Sequence, residues 1–183
     1  MKREDALALL FEFTESDSLR KHAFAVEAAM RAYAKEYGED EELWGSIGLI
    51  HDFDYEKYPD EHPAKGNEIL TERGIPEAIR KTILGHATFT GVPRDTLIAK
   101  VLYAVDELCG FITAVTLVRP NRSVSEVSPK SVKKKMKDKR FAAKVNREEI
   151  RGGAEELGVE FDAHVQRVVQ AMSGIATDLN LNP

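Results

Sequence analysis

The dipeptide His51-Asp52 closes an apolar run over residues 43–50, and this feature constrains the fold more than any other in the chain. Burying an imidazole and a carboxylate costs several kcal/mol unless other groups pair with them. A fold that packs the run into its core therefore has to supply partners for both side chains. A metal ion is the most direct candidate, and it would need further ligands from other parts of the chain.

Apolar side chains recur at the three- and four-residue spacing of an α-helix along nearly the whole chain. No pair of alternating strands joined by a hairpin turn is visible in the sequence. We therefore expect an all-α fold, a bundle of about eight or nine helices. The predicted helices lie at about residues 3–14, 17–37, 40–51, 62–73, 76–86 and 94–118, then a short one after 131, one at 146–158 and a last one from 162.

Residues that favour helix ends mark several of these boundaries. Ser16 is suited to cap the second helix, and Gly38 is suited to end it. Asn146 and Asp162 are suited to cap the last two helices. Pro129 is assigned to the loop that precedes the short basic helix.

The charge of the chain is unevenly distributed, although the net charge is only −5. Residues 119–147 contain eleven Lys or Arg and two acids, a net charge of +9, and the rest of the chain carries −14. A mainly acidic body with one basic segment argues against a general nucleic-acid binder. We expect the basic segment to be a solvated face, and the alternative is a phosphate-binding flap beside a metal site.

Three features indicate a cytoplasmic protein without a membrane partner. No apolar run approaches the ~20 residues that span a bilayer. The charged N-terminus is not typical of a signal peptide. The single cysteine, Cys109, rules out an internal disulfide and fits a reducing compartment.

The histidines suggest where the partners of His51-Asp52 lie. Four of the five fall in the first half of the chain, each on a different predicted helix or helix end: His22, His51, His62 and His86. Each has a simpler interpretation when taken alone, as a packed or surface residue, a cap, or a residue favoured by the dipole at a helix C-terminus. Asp106 lies inside the long apolar helix, where aspartate is a poor helix former unless it is exposed.

Three or more imidazoles with two carboxylates form the ligand set of a divalent transition metal. The carboxylates favour iron, manganese, cobalt, nickel or zinc with coordination positions left for water. That arrangement suits hydrolysis, because the metal lowers the pKa of bound water and neutralises charge on phosphoryl oxygens. We expect one or two ions, and Asp52 is the natural bridge between two.

The order His22, His51-Asp52 and Asp106 resembles the HD-domain superfamily of metal-dependent phosphohydrolases. That family is all-helical, and its ligands follow the order H…HD…D. The resemblance covers about residues 18–115. It implies that these four residues hold one metal ion.

Two further segments, residues 62–70 and 83–86, resemble the additional histidine segments of the dinuclear members of the family. The resemblance implies that Asp52, His62 and His86 hold a second metal ion. We predict a single domain over residues 1–183, in which a helical extension from about 120 follows the motif core.

The resemblance to particular subfamilies is uneven. Gly91, Val92 and Pro93 follow His86 where the cyclic-dinucleotide phosphodiesterases carry a GYP signature, so that activity is not expected. Length, spacing and the segment around His86 are similar to symmetrical diadenosine tetraphosphate hydrolases, but residues 106–110 depart from them. The chain most resembles small bacterial proteins described as predicted HD hydrolases.

Several other side chains are candidates for the site. Asp54 follows the motif closely and is predicted to act in proton transfer, or, like Glu107, to orient a water or a ligand imidazole. Asp52 is predicted to be catalytic as well as a ligand. The candidates for binding substrate phosphate are Arg20, Lys21, Lys57 and Lys65.

The function expected from these residues is hydrolysis of a small phosphate ester or anhydride, most simply a nucleotide, by metal-activated water. The alternatives are an enzyme similar to diadenosine tetraphosphate hydrolases, and a regulatory module that binds a nucleotide without hydrolysing it. A purely structural helical domain would bind no metal. The apolar stripes that include Met30 and Val165 are assigned to the core or to a homodimer seam.

Overall fold

The computed structural model describes residues 1–182, and over that range the chain is helical with no β-strand. Nine helices are seven or more residues long, which confirms the all-α prediction, and a tenth is a single turn. The helices are α1 (Arg3–Phe13), α2 (Asp17–Tyr37), α3 (Glu41–Ile50), α4 (Ala64–Glu72), α5 (Glu77–His86), α6 (Leu97–Leu117), α7 (Pro129–Met136), α8 (Arg147–Leu157), α9 (Phe161–Ser173) and α10 (Ala176–Leu179).

The two longest helices, α2 and α6, form the centre of the bundle. Helix α2 packs against α3, α6 and α9, and α6 packs against α5 and α8. Their shared faces are apolar, and residues such as Met30, Leu102 and Ile112 are completely buried. This packing places the middle of α6 beside the N-terminal half of α2 and the end of α3.

Two glycines allow unusually close helix approaches. A Cβ at Gly48 of α3 would lie 3.1 Å from the Glu27 backbone of α2. A Cβ at Gly153 of α8 would lie 2.6 Å from the Ala104 Cα of α6, which is closer than atoms can approach. Larger residues would push both pairs of helices apart, because packed interiors tolerate little added volume.

Most of the predicted helix ends agree with the structure. Gly38 ends α2 in the left-handed conformation, and the side chain of Asn146 caps α8. Ser16 occupies the N-cap position of α2, although its hydroxyl makes no capping bond there.

Two predictions about helix ends were wrong, and one short helix was missed. Helix α7 begins at Pro129 and not after Ser131, because Ser128 and Ser131 form a capping box and proline is well suited to the first helical position. Glu160, not Asp162, caps α9 by accepting from the Ala163 N–H. The short helix α10 was not predicted.

The C-terminal helices pack against the part of the chain that carries the histidines. Helix α8 lies on α6, and α9 lies on α2. Among the helices described, none is long and apolar enough to cross a membrane.

Candidate metal centre

Six candidate ligands from five parts of the chain meet at one place. His22 projects from α2, and His86 is the last residue of α5. The C-terminus of α3 supplies His51 and Asp52. His62 precedes α4, and Asp106 comes from the middle of α6.

The first group consists of His22, His51, Asp52 and Asp106, whose potential ligand atoms all lie within 4.8 Å of one another. His22 Nε2 is 3.0 Å from an Asp106 oxygen. His51 Nε2 lies 3.3 Å from one oxygen of Asp52 and 3.3 Å from the same Asp106 oxygen. The two imidazoles and two carboxylates therefore point at a common centre.

The second group shares Asp52 with the first. The Nε2 atoms of His62 and His86 each lie 3.2 Å from Asp52 Oδ1, whereas His51 faces Oδ2. The two imidazole nitrogens are 3.3 Å apart. The two oxygens of Asp52 thus face different groups, which is the geometry that a bridging carboxylate needs.

The hydrogen bonds on the other ring nitrogens fix the tautomers. The Nδ1–H groups of His51 and His86 donate to the carbonyls of Gly48 and Ile83, because a carbonyl oxygen can only accept. The Nδ1–H of His62 donates to a carboxylate oxygen of Asp54, at 2.8 Å. In the neutral state each of the three Nε2 atoms therefore carries a lone pair directed into the cluster.

This donor set fits a cation. His51 Nε2 is buried and has no hydrogen-bond partner among residues 1–182, although carboxylate oxygens lie nearby. Lone pairs of imidazoles and carboxylates that face one another repel unless protons or a metal lie between them. Imidazole and carboxylate ligands with second bonds to carbonyls and carboxylates are the arrangement found around divalent transition metals.

A sequence model of the HD domain matches residues 19–110. The chain belongs to the HD-domain family. All six clustered residues lie within the matched segment, which covers half of the chain. Members of this family are generally metal-dependent hydrolases that bind divalent metals, and some are non-catalytic. No curated protein and no solved structure matches the chain.

The six clustered residues, His22, His51, Asp52, His62, His86 and Asp106, are called the HD centre below. Their pKa values reflect the competition between burial and charge. Burial alone lowers the pKa of His51, but Asp52 and Asp106 outweigh it and raise the pKa well above its usual value. Burial also lowers the pKa of His62, and its bonds to Asp52 and Asp54 raise it to about 9. Without a metal, the carboxylates therefore favour the protonated forms of His51 and His62, and metal binding would compete with those protons.

Asp54 is buried behind His62 and lies outside the cavity lining. It accepts from His62 Nδ1–H at 2.8 Å and from the Gly66 N–H at 2.7 Å. A Cβ at Gly66 would lie 2.7 Å from this carboxyl group, so a glycine is needed for the approach. The position fits the orienting role expected of Asp54 and does not fit direct proton transfer to a substrate.

None of the four predicted phosphate-binding cations lines the cavity at the HD centre. Neighbouring positions on a helix point in different directions, so Arg20 and Lys21 do not share the face of His22. The polar contacts of the four are Arg20 with the Thr14 carbonyl at 2.7 Å, Lys21 with Asp17 at 2.5 Å, Lys57 with the Glu12 carbonyl at 2.7 Å and Lys65 with Glu68 at 2.8 Å.

The HD centre opens into a cavity of about 290 Å³ whose wall is acidic. Glu107 and Glu149 line it, and no Lys or Arg does. Burial and the charge of Asp106 raise the pKa of Glu107 to about 7. Its carboxylate also accepts from the Asn146 N–H at 3.1 Å, so the orienting bond predicted for Glu107 goes to backbone and not to a ligand imidazole.

Among the lining residues that sequence reasoning missed are Tyr55, Phe89 and Glu149. Phe89 is 78% exposed, so its apolar ring stands at the cavity without core packing to explain it. Glu149 lies on α8, far outside the HD segment, and no spacing rule relates it to the histidines. Only the packing of α8 on α6 brings it to the site.

Proposed function

We propose that this protein is a metal-dependent phosphohydrolase that acts on a small phosphate ester. The observation that carries the proposal is the convergence of four imidazoles and two carboxylates beside an open cavity. A purely structural domain has no use for this arrangement, because each group would be more stable with an ordinary hydrogen-bond partner. A nucleotide remains our choice of substrate class.

Most residues of the site would bind metal ions, and Asp54 would orient one of the ligand imidazoles. His22, His51, Asp52 and Asp106 would hold one divalent ion, and Asp52 with His62 and His86 would hold a second. When bound, the ions supply an activated water and neutralise charge on the phosphoryl oxygens. Asp54 fixes the ring of His62 through its bond to Nδ1.

The acidic wall restricts the charge of the substrate. Glu107 and Glu149 disfavour phosphate groups that do not reach the ions, and no Lys or Arg offsets them. The cavity of about 290 Å³ is also small for a ligand site. Both features favour a monophosphate, such as a mononucleotide, over diadenosine tetraphosphate. Phe89 and Tyr55 offer aromatic surface for a base.

The test uses protein loaded with Mn²⁺ or Co²⁺ and assayed on bis-p-nitrophenyl phosphate, AMP, ATP and diadenosine tetraphosphate. We expect release of phosphate or nitrophenol, with AMP preferred over the tetraphosphate. Asp52→Ala should lose both bound metal and activity, because it removes the shared ligand. Asp60→Ala, an exposed carboxylate in the same loop, is the matched control and should behave as the wild type.

Activity that persists in metal-free Asp52→Ala protein would contradict the proposal. Saturable binding of AMP without turnover, in protein loaded with each metal, would support instead a regulatory module that binds a nucleotide. Absence of metal from freshly purified and from reloaded protein would leave the structural domain as the remaining interpretation.

A further inference from the structure

A second cavity lies between α7, α8 and α9 and shares no lining residue with the HD centre. Its volume is about 450 Å³, within the range of small-molecule sites. It is lined by Lys133, Met136, Lys137, Arg151, Ala154, Glu155, Val159 and Phe161. Four of these eight side chains are apolar, namely Met136, Ala154, Val159 and Phe161.

The apolar wall of this cavity is built by the turn that joins α8 to α9. Gly158 ends α8 with a φ of +74°, a conformation that side chains rarely adopt. The turn directs the Val159 N–H back to the Ala154 carbonyl, at 3.1 Å. Val159 and Phe161 on this side of the cavity are half-buried, whereas Met136 and Ala154 in the lining are buried.

The charged groups around the opening are mainly cationic and incompletely paired. Lys133 contacts Asp162 at 2.7 Å. Within residues 1–182, the side chains of Lys137 and Arg151 make no hydrogen bond or ion pair, and both are exposed. Glu155 is the only acid in the lining. Lys137 and Arg151, neither of which is paired within residues 1–182, thus border an apolar cavity in a chain whose net charge is −5.

We propose that this cavity binds a small amphipathic anion, with an aliphatic or aromatic body against the apolar wall and an anionic head between Lys137 and Arg151. The apolar wall selects the body, and charge complementarity selects the head. Part of the basic segment, at Lys133 and Lys137, then belongs to a ligand site distinct from the HD centre.

The proposal is tested by isothermal titration of the metal-loaded full-length protein with octyl sulfate. Octyltrimethylammonium has the same chain with the opposite charge, and octan-1-ol has no charge. We expect octyl sulfate to bind with one site per protein and both comparison compounds to bind at least about tenfold more weakly. Equal binding of the ammonium compound would overturn the proposal.

Variants locate the binding. Lys137→Glu and Arg151→Glu should each weaken octyl sulfate binding about tenfold, since each reverses a charge beside the head group. Lys134→Glu is the matched control: it makes the same change on an exposed position of α7 outside the lining, and its affinity should stay within about twofold. Equal affinities in all three variants would refute the site.

Two further variants separate this cavity from the HD centre. Val159→Trp places an indole ring in the opening and should abolish binding. Thermal unfolding is recorded to show that the variant is folded. Asp52→Ala should bind octyl sulfate as the wild type does. Loss of binding in folded Asp52→Ala would assign the anion to the metal centre and reject the proposal, whatever the outcome of the hydrolase assay.

Discussion

His51 and His164 are both completely buried, yet their surroundings differ in one decisive respect. His164 uses both ring nitrogens: Nδ1 accepts from the Tyr33 hydroxyl at 2.5 Å, and Nε2–H donates to the Ala104 carbonyl at 2.9 Å. His51 uses only Nδ1, which donates to Gly48, and its Nε2 has no partner within residues 1–182. In the structural histidine both ring nitrogens have hydrogen-bond partners, whereas in the candidate ligand one nitrogen has none.

The charges around the two rings differ in the same way. Burial lowers the pKa of His164 against the opposing effect of its hydrogen bond to the Ala104 carbonyl, and the nearby charge of Arg167 also lowers it. Burial also acts against protonation of His51, but two carboxylates reverse the direction. Burial alone therefore does not distinguish the two roles, while the partner of each nitrogen does.

The largest expected difference is in metal binding and activity. His51→Ala removes an imidazole that faces both carboxylates, and we expect metal affinity and hydrolysis to fall more than about 100-fold, beyond the effect of losing a supporting residue. His164→Gln should keep its metal content and most of its activity. Elemental analysis and initial rates measure both. The comparison fails if His164→Gln loses metal while His51→Ala retains it.

A smaller effect is expected at His62, whose second nitrogen is held by a carboxylate and not by a carbonyl. Asp54→Asn weakens that hydrogen bond and places an NH₂ group near the Gly66 N–H, so metal affinity should fall about 10- to 100-fold. Competition with a fluorescent chelator measures the loss. Asp60→Asn makes the same chemical change at an exposed position and should leave affinity unchanged. Equal affinities in the two variants would show that Asp54 does not orient the ring.

The candidate metal ligands could be predicted from the sequence far better than the role of the structural histidine. His22, His51-Asp52 and Asp106 were found because their order along helices matches a metal-binding pattern, and packing of α2, α3 and α6 then brings them together. His164 could not be interpreted, because its partner Tyr33 lies 131 residues away. Only tertiary structure pairs the two.

The lining of the cavity at the HD centre was equally hard to predict, because it also depends on tertiary packing. Cations near the histidines in sequence do not line the cavity: Arg20 lies on a different helix face from His22 and bonds the Thr14 carbonyl, and Lys65 pairs with Glu68. Glu149 reaches the site from a helix outside the motif. Helix existence was predictable from apolar spacing, but the start of α7 depended on a serine pair that also fits a loop.

The third expected effect is on stability alone. Tyr33→Phe leaves His164 Nδ1 buried without its donor, so the free energy of unfolding should fall by about 1–3 kcal/mol while metal content stays the same. Urea unfolding of metal-free protein measures the change. Tyr37→Phe is the control, because Tyr37 stacks on Tyr33 and is 37% exposed. A loss of metal in Tyr33→Phe would mean that the two buried histidines are coupled.

The smallest effect is the dependence of stability on acid that His164 contributes. Its pKa is lowered in the folded protein, chiefly by burial, and is about 6.5 in the unfolded chain. Above pH 6.5 neither state takes up this proton, so the contribution is constant. As the pH falls below about 6.5, the unfolded chain binds the proton first, and stability decreases by up to about 1.4 kcal/mol per pH unit until the folded pKa is reached.

Urea unfolding between pH 7.5 and 5 should therefore show a shallower decrease for His164→Gln than for the wild type. Because the carboxylates and histidines of the HD centre titrate equally in both proteins, the difference between the two slopes isolates His164, and identical slopes would show that folding does not lower its pKa.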